Sequence, residues 1–205
     1  MKFDKIKLNI SNDPVEAREN AITVAKELIK SDPIIIDTET TGLKGDDEIV
    51  EISVVDIKGN VLCDTLIKPI KPIPTEAERI HGISNEEVKN SPTFDQVWEE
   101  GLGELFATRP VCIYNSNFDL RMLRQTLGKY NLKLGKISSI CVMKLYADFE
   151  GTWDSRFGNF KWHSLETAAD HIKITVSNQL HRALTDAQVT RQVLLHIAKA
   201  EEGVA

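Results

Sequence analysis

The run Pro33-Ile34-Ile35-Ile36-Asp37-Thr38-Glu39 constrains this chain more than any other part of it. Three consecutive β-branched apolar residues that stop on an acid read as a short strand buried on both faces. Such a strand belongs in the middle of a sheet covered by helices on each side. The run is also far shorter than the roughly 20 apolar residues that a bilayer span needs. Asp37 and Glu39 are two apart, so on a strand their carboxylates share one face. Like charges held side by side repel unless a cation lies between them. A solvated strand end is the ordinary explanation of Asp-x-Glu, so the pair alone leaves a structural and a metal-binding reading both open.

The remaining pattern is that of an α/β layered domain. Residues Pro14–Lys30 carry Val15, Ala21, Ile22, Ala25, Leu28 and Ile29 at helical spacing, with Asp13 as the cap and Pro14 in the first turn. Glu48–Ile57 and Val61–Lys68 read as strands joined at Lys58-Gly59-Asn60, a hairpin signal. The prolines of Pro69–Pro74 demand an extended connection. Ser84 and Glu87 form a capping box, and a helix is expected over Thr93–Ala107. Val111–Tyr114 reads as a fourth strand, followed by a helix over Phe118–Gly128 with Asn117 as its cap. Ile137–Val142 reads as a fifth strand leading into a helix. Ser164 caps a helix ending at His171, and the last helix covers Ala183–Lys199. Three meandering strands, then strands alternating with helices, imply a mixed sheet. The expected division is an N-terminal helical extension over residues 1–32 and one domain over residues 33–205.

A length of 205 residues, 41% of them hydrophobic and 27% charged, is enough for a full core and argues against disorder. Cys63, Cys112 and Cys141 are widely spaced and odd in number, which argues against a disulfide framework or a zinc cage. They point to a reducing, cytoplasmic compartment. Asp4, Lys5 and Lys7 interrupt any signal-peptide pattern, and no membrane partner is expected. The net charge of −6 argues against a protein that coats duplex nucleic acid through a basic surface. Residues 120–147 nevertheless contain no acid and carry Arg121, Arg124, Lys129, Lys133, Lys136 and Lys144. That window is either a solvated basic face or a short electrostatic guide for a strand.

Asp119 follows the fourth strand in the first turn of a helix, where a carboxylate ordinarily complements the helix dipole. His181 and Asp186 are five apart, which on a regular helix sets them about 140° from each other. They converge only if His181 precedes the helix. Together these residues stand at the ends of strands one and four and at the start of a late helix, where an open α/β sheet gathers its site. Four carboxylates balance two divalent cations, and oxygen-only ligands suit Mg²⁺ or Mn²⁺ over zinc. Two such ions about 4 Å apart activate water and stabilise the leaving oxygen of a phosphodiester. A loop histidine is the natural base for that water.

Asp37-Thr38-Glu39-Thr40-Thr41-Gly42-Leu43, Tyr114-Asn115-x-Asn117-Phe118-Asp119 and His181-x-Ala183-x-x-Asp186 resemble, in order, the three motifs of the DEDDh exonuclease family. That family includes the proofreading epsilon subunit of bacterial DNA polymerase III, and the similarity spans roughly residues 33–198. The resemblance implies an RNase H-like fold, a mixed five-stranded sheet flanked by helices. It implies 3′→5′ hydrolysis giving nucleoside 5′-monophosphates, with Asp37, Glu39, Asp119 and Asp186 holding two Mg²⁺ or Mn²⁺ ions and His181 as base. It implies that Thr40, Thr41 and Leu43 contact the 3′ nucleotide, the leucine wedging against the last bases. Asn115 is a further substrate-binding candidate. Phe118 is a candidate for the same pocket or for the core. Ile80-His81-Gly82-Ile83 resembles a segment near the terminal nucleotide, although His81 could equally cap a loop. Trp153, Phe157, Phe160 and Trp162 make an aromatic-rich loop between Gly151 and Ser164, expected to pack, with stacking on bases as the alternative.

The expected partner is a nucleic-acid 3′ end, single-stranded DNA first. RNA trimming and a non-catalytic polymerase-associated module are the alternatives. Only 19 residues follow Asp186, without the extension by which epsilon docks its polymerase. The expectation is therefore a standalone or phage-type enzyme, with DNA polymerase association as the other possibility.

Overall fold

A computed structural model describes residues 11–174 and 181–201. Its main sheet consists of β1 (Ile34–Thr40), β2 (Ile49–Asp56), β3 (Val61–Leu66), β4 (Val111–Ile113) and β5 (Ser139–Cys141), in the order β3-β2-β1-β4-β5. The helices are α1 (Pro14–Lys30), α2 (Thr75–His81), α3 (Asn85–Val88), α4 (Phe94–Val97), α5 (Gly103–Thr108), α6 (Ser116–Lys129), α7 (Val142–Glu150), α8 (Leu165–His171) and α9 (Ala183–Lys199). A two-stranded hairpin, β6 (Trp153–Asp154) and β7 (Asn159–Phe160), lies between α7 and α8. The strands β1, β2 and β3 pair antiparallel, while β4 runs parallel to both β1 and β5. This is the mixed, helix-flanked sheet that the strand order implies.

The apolar run behaves as a doubly covered central strand must. Ile34, Ile35 and Ile36 are all inaccessible to solvent. Their side chains alternate across the sheet. Ile35 enters a core with residues of α1, α7 and α9, and Ile34 and Ile36 enter a second core with residues of α4, α5 and α6. The same alternation carries forward along the strand. Asp37 and Glu39 share the face of Ile35, toward α9, and Thr38 shares the face of Ile36, toward α6.

The N-terminal helix is part of this packing. Asp13 caps α1 by accepting the Val15 and Glu16 N–H groups, and Ala21, Ile22, Ala25 and Leu28 bury against α7 and α9. The hairpin between β2 and β3 is closed by Asp56, whose carboxylate accepts the backbone N–H groups of Lys58 and Asn60 at 2.9 Å each. Buried Glu48 holds the proline-rich connection, accepting the Ile70 and Lys71 N–H groups at 3.0 Å each.

Several elements differ from the sequence-based expectation. The helix expected over 93–107 is α4 and α5 joined by a π-helical turn, Trp98–Leu102. Gly101 lies inside that turn with φ 136°, a value open to glycine, so the regular helix breaks there. Helix α2 emerges directly from the prolines and ends at Gly82 in the left-handed region, φ 74°. Helix α6 begins two residues earlier than expected, with Asn115, not Asn117, in the capping position. The aromatic stretch after Gly151 contains a small hairpin and is not wholly loop. Among the described residues, no helix is long and apolar enough to cross a membrane.

The burial of α1 makes a contrast that denaturant unfolding can check. Leu28→Ala, at a side chain 1% exposed, is expected to lower the unfolding free energy by about 2–4 kcal/mol. Val15→Ala, on the same helix but 52% exposed, is expected to change it by less than about 0.5 kcal/mol. Equal effects at the two positions would contradict a core role for this helix.

Candidate active site

The carboxyl end of β1 brings acids together from opposite ends of the chain. One carboxylate oxygen each from Asp37, Glu39 and Asp186 lie within 4.8 Å of one another. Asp186 reaches the strand because it sits in the first turn of α9, on the face toward which Asp37 and Glu39 point. Its Oδ1 is buried without a hydrogen-bond partner. Its Oδ2 accepts the His181 backbone N–H at 3.3 Å. His181 precedes the helix, as convergence requires, and is exposed with a left-handed φ of 67°.

Asp119 is not a member of that three-residue group. It is buried on α6, and its Oδ1 accepts the Thr38 hydroxyl at 2.8 Å across the other face of β1. It still belongs to the same electrostatic system. Burial and then the charges of Asp119, Asp186, Glu39 and Glu51 push the Asp37 carboxyl well above the usual range. Burial, then Asp186, Glu51 and Asp119, push Glu39 up to about 8. Burial pushes Asp119 up to about 7 against the Thr38 hydrogen bond. Asp186 is also raised, mainly by burial, and the His181 N–H opposes the shift. Oxygen-only donors that cannot all ionise without a cation fit a hard divalent metal.

Glu51 was not among the residues singled out from sequence, yet it organises the site. It lies directly across from Glu39 on β2 and is 4% exposed. Its carboxylate takes Arg182 Nη2 at 2.6 Å, Arg182 Nε at 3.1 and 3.2 Å, and the Ala183 N–H at 2.9 Å. Both donors lie between His181 and Asp186 in sequence, so this clamp ties the start of α9 to the sheet. An acid inside the otherwise apolar run of β2 was the available signal, because unpaired buried acids are rare.

A cavity of about 540 Å³ opens beside Glu39. Thr40, Thr41, Leu43, His81 and Phe118 all line it, as does Ile80. Thr40 and Thr41 use their hydroxyls to build the turn: Thr40 donates to the Gly42 carbonyl at 2.9 Å, and Thr41 accepts the Glu48 N–H at 3.0 Å. Gly42 suits this turn: its φ of 155° is rarely adopted by residues with a side chain, and a Cβ would stand 2.6 Å from Asp47 Oδ2, which would have to shift. Leu43 projects from the rim, 75% exposed. His81 is buried at the end of α2, where its Nδ1 accepts the Ile83 N–H at 3.0 Å, and burial lowers its pKa. Phe118 is only partly buried and carries Arg121 over its ring at 5.3 Å, so it belongs to both the cavity wall and the core edge. Asn115 is exposed and does not line this cavity; its left-handed backbone, φ 62°, turns β4 into α6.

A mixed sheet with an acidic cluster at the carboxyl end of its central strand is the arrangement of the RNase H-like exonucleases. The model of the exonuclease family RNase_T matches residues 34–194. The uncharacterized exonuclease CP81 of Escherichia phage 186 is 39% identical over 198 residues, covering 94% of this chain and 98% of that protein. The DNA polymerase III epsilon subunit of Rickettsia conorii is 32% identical over 173 residues, 80% of this chain and 72% of that one. Exonuclease X, solved in complex with 5′ overhanging duplex DNA, superposes with a TM-score of 0.59 at 29% identity, over 80% of this chain and 89% of that one. The nuclease domain of 3′hExo, a DEDDh family member bound to rAMP, shares the fold with a TM-score of 0.70 at 16% identity, over 85% and 95% of the two chains. The chain belongs to the exonuclease family RNase_T. Divalent metal ions are the general cofactors of that family, and the acidic cluster for them is present.

The raised carboxyls fix how metal and pH act on stability. An acid whose folded pKa exceeds its unfolded value holds more protons in the folded state, so stability falls as pH rises between the two. For Glu39 that window runs from 4.5 to about 8. Without metal, the melting temperature is expected to fall across it. Mg²⁺ or Mn²⁺ is expected to restore stability near the top of the window and to do little near the bottom, because protons and metal compete for the same oxygens. Glu39→Gln should flatten both dependences. A metal-induced shift in melting temperature that is equal at both ends of the window would contradict the assignment.

Proposed function

We propose that this protein is a metal-dependent 3′→5′ exonuclease that releases nucleoside 5′-monophosphates from 3′ ends, with single-stranded DNA as its preferred substrate. The observation that carries the reading is the approach of Asp37, Glu39 and Asp186 within 4.8 Å beside a cavity of about 540 Å³. In this reading Asp37, Glu39 and Asp186, with Asp119 behind them, hold two Mg²⁺ or Mn²⁺ ions. Bound there, the ions supply positive charge to the scissile phosphate and acidify water. His181 takes the proton as water oxygen bonds to phosphorus and the bond to the 3′ oxygen breaks. The departing 3′ oxygen takes up a proton from solvent and stays on the shortened strand as a free 3′-hydroxyl. The exposed position of His181 before α9 leaves its imidazole free to deliver the water proton to solvent. Thr40, Thr41, His81 and Phe118 wall the seat of the terminal nucleotide, Leu43 wedges at its rim, and Asn115 contacts the strand from the start of α6.

Residues 33–205 form the exonuclease unit, and residues 1–32 extend it. Resemblance to an uncharacterized phage 186 exonuclease and to a DNA polymerase III epsilon subunit fits a standalone enzyme and a polymerase-associated one alike. The DNA preference rests on the resemblance to Exonuclease X, solved with DNA. None of the cavity and carboxylate residues named above is specific for a 2′-hydroxyl, which is what distinguishes RNA. Trimming of RNA by the same site is thus the second reading.

Matched DNA and RNA oligonucleotides, labelled at either end, test both readings. The DNA strand should lose mononucleotides from its 3′ end with Mg²⁺ or Mn²⁺ and none in EDTA. His181→Ala should lower kcat by about 100- to 10,000-fold and remove the limb of the pH–rate profile that a histidine base contributes. Asp37→Ala and Asp186→Ala should lose at least as much. Absence of 3′ release under both metals would remove the proposal. Faster loss from RNA would change the substrate and keep the site.

A further inference from the structure

The aromatic stretch after Gly151 divides into two parts. Phe160 is 4% exposed and packs with Ala17 and Ala147, and Trp153 meets its ring edge-on at 5.3 Å between centroids. Phe157 and Trp162 do the opposite: they are 73% and 51% exposed. Phe160 holds the β6–β7 hairpin against the domain, Trp153 covers its ring while remaining 42% exposed, and Phe157 and Trp162 face solvent. Two large exposed rings close together are not needed for packing, and such patches mark interaction sites.

Cations accompany both rings. The Arg156 guanidinium lies 5.6 Å from the centre of the Phe157 ring, and Lys144 Nζ lies 5.3 Å from the centre of the Trp162 ring. A cavity of about 280 Å³ lies between them, lined by Phe157, Trp162, Arg156, Lys161 and Asn159. Asp154 also lines it, but its carboxylate is bound by Arg156 through contacts of 2.8 and 3.0 Å. Rings alternating with positive charge complement a chain of bases and phosphates.

The segment that carries Trp162 is tied to the carboxyl end of β4. The Tyr114 hydroxyl, at the end of β4, donates to the carbonyls of His163 and Ser164, at 3.0 and 3.2 Å. It thereby pins the residues that follow Trp162 beside the motif that carries Asp119. Lys144 stands in the first turn of α7, which follows β5, and β5 is parallel to β4. Trp162 is therefore anchored at the same end of the sheet as Asp37 and Asp119.

We propose that Phe157 and Trp162, with Lys144, Arg156 and Lys161, form a second binding surface for single-stranded nucleic acid, which holds the strand on the 5′ side of the end seated at the carboxylates. The surface acts by stacking and charge, so it grips long strands without reading their sequence. This inference rests on the exonuclease reading for its geometry, and it is testable apart from hydrolysis.

The test measures anisotropy of a labelled single strand of about a dozen nucleotides in EDTA, where no cleavage occurs. Trp162→Ala and Phe157→Ala should each raise Kd by roughly 5- to 100-fold, the range for loss of one stacking platform. Trp162→Phe, which keeps a ring, should recover most of the affinity. With metal, KM for the long strand should rise in the alanine variants while kcat on a dinucleotide stays unchanged. Circular dichroism and unfolding midpoints matching the parent protein show that the variants fold. An unchanged Kd in the folded double variant would overturn the proposal and assign the patch to a protein partner. If the parent protein releases no 3′ nucleotides, the exonuclease reading fails; if it does and the variants bind normally, this inference alone fails.

Discussion

Mutual repulsion among buried carboxylates at the end of β1 is the constraint around which the rest of the structure is arranged. Asp37, Glu39 and Glu51 lie on one face by strand geometry, and Asp186 joins them from α9. Burial raises the cost of every one of these charges. Two different solutions stand side by side. Glu51 is neutralised by the protein itself, through Arg182 and the Ala183 N–H. Among the described residues, no salt bridge reaches Asp37, Glu39 or Asp186; burial and then neighbouring acids raise all three carboxyls, Glu39 to about 8. The same face thus carries one permanent ion pair that positions a helix and a neighbouring set left for an external ion.

The alternation of β1 also decides which helix each motif meets. A shift of one residue in its register would turn Asp37 and Glu39 toward α6 and Thr38 toward α9. The antiparallel ladder from Ile34–Asp56 to Glu39–Glu51 blocks such a slip, and the irregularity after Glu39 falls beyond the acids. The site is as sharply placed as the hydrophobic packing of Ile34, Ile35 and Ile36, because both follow from one parity.

Much of this was legible in the chain itself, for identifiable reasons. The three isoleucines, the Gly59-Asn60 turn and the Asp13-Pro14 cap are local signals strong enough to outvote context, and β1, the β2–β3 hairpin and α1 follow them. The approach of His181 to Asp186 was legible as a geometric condition, since five residues on a helix cannot share a face. What stayed hidden depended on distant partners or on very short elements. Helix α2 begins at the prolines that announce an extended connection, so its start is masked by its own capping residue Pro74. The break at Gly101 looks from sequence like an ordinary helical glycine. Asp119 carries the motif but bonds Thr38 rather than joining the closest cluster, a distinction set by the two faces of β1. Glu51 was the largest omission: only a contact with Arg182, 131 residues away, explains an acid inside that strand.

The net charge of −6 takes a different meaning once the charges are placed. The acid-free window after Asp119 is not one basic stripe. Lys129 stands 3.8 Å from Glu48, and Arg121 covers Phe118 at the cavity wall. Lys144 turns away from both to the ring of Trp162. These three cations thus serve different tasks, and together they build no long basic track of the kind that salt-driven duplex binding requires. The proposed surface, a few cations seated against aromatic rings, matches a strand whose bases are unpaired and free to stack. On a duplex those bases are already stacked on each other, and the rings of Phe157 and Trp162 would find no face to meet.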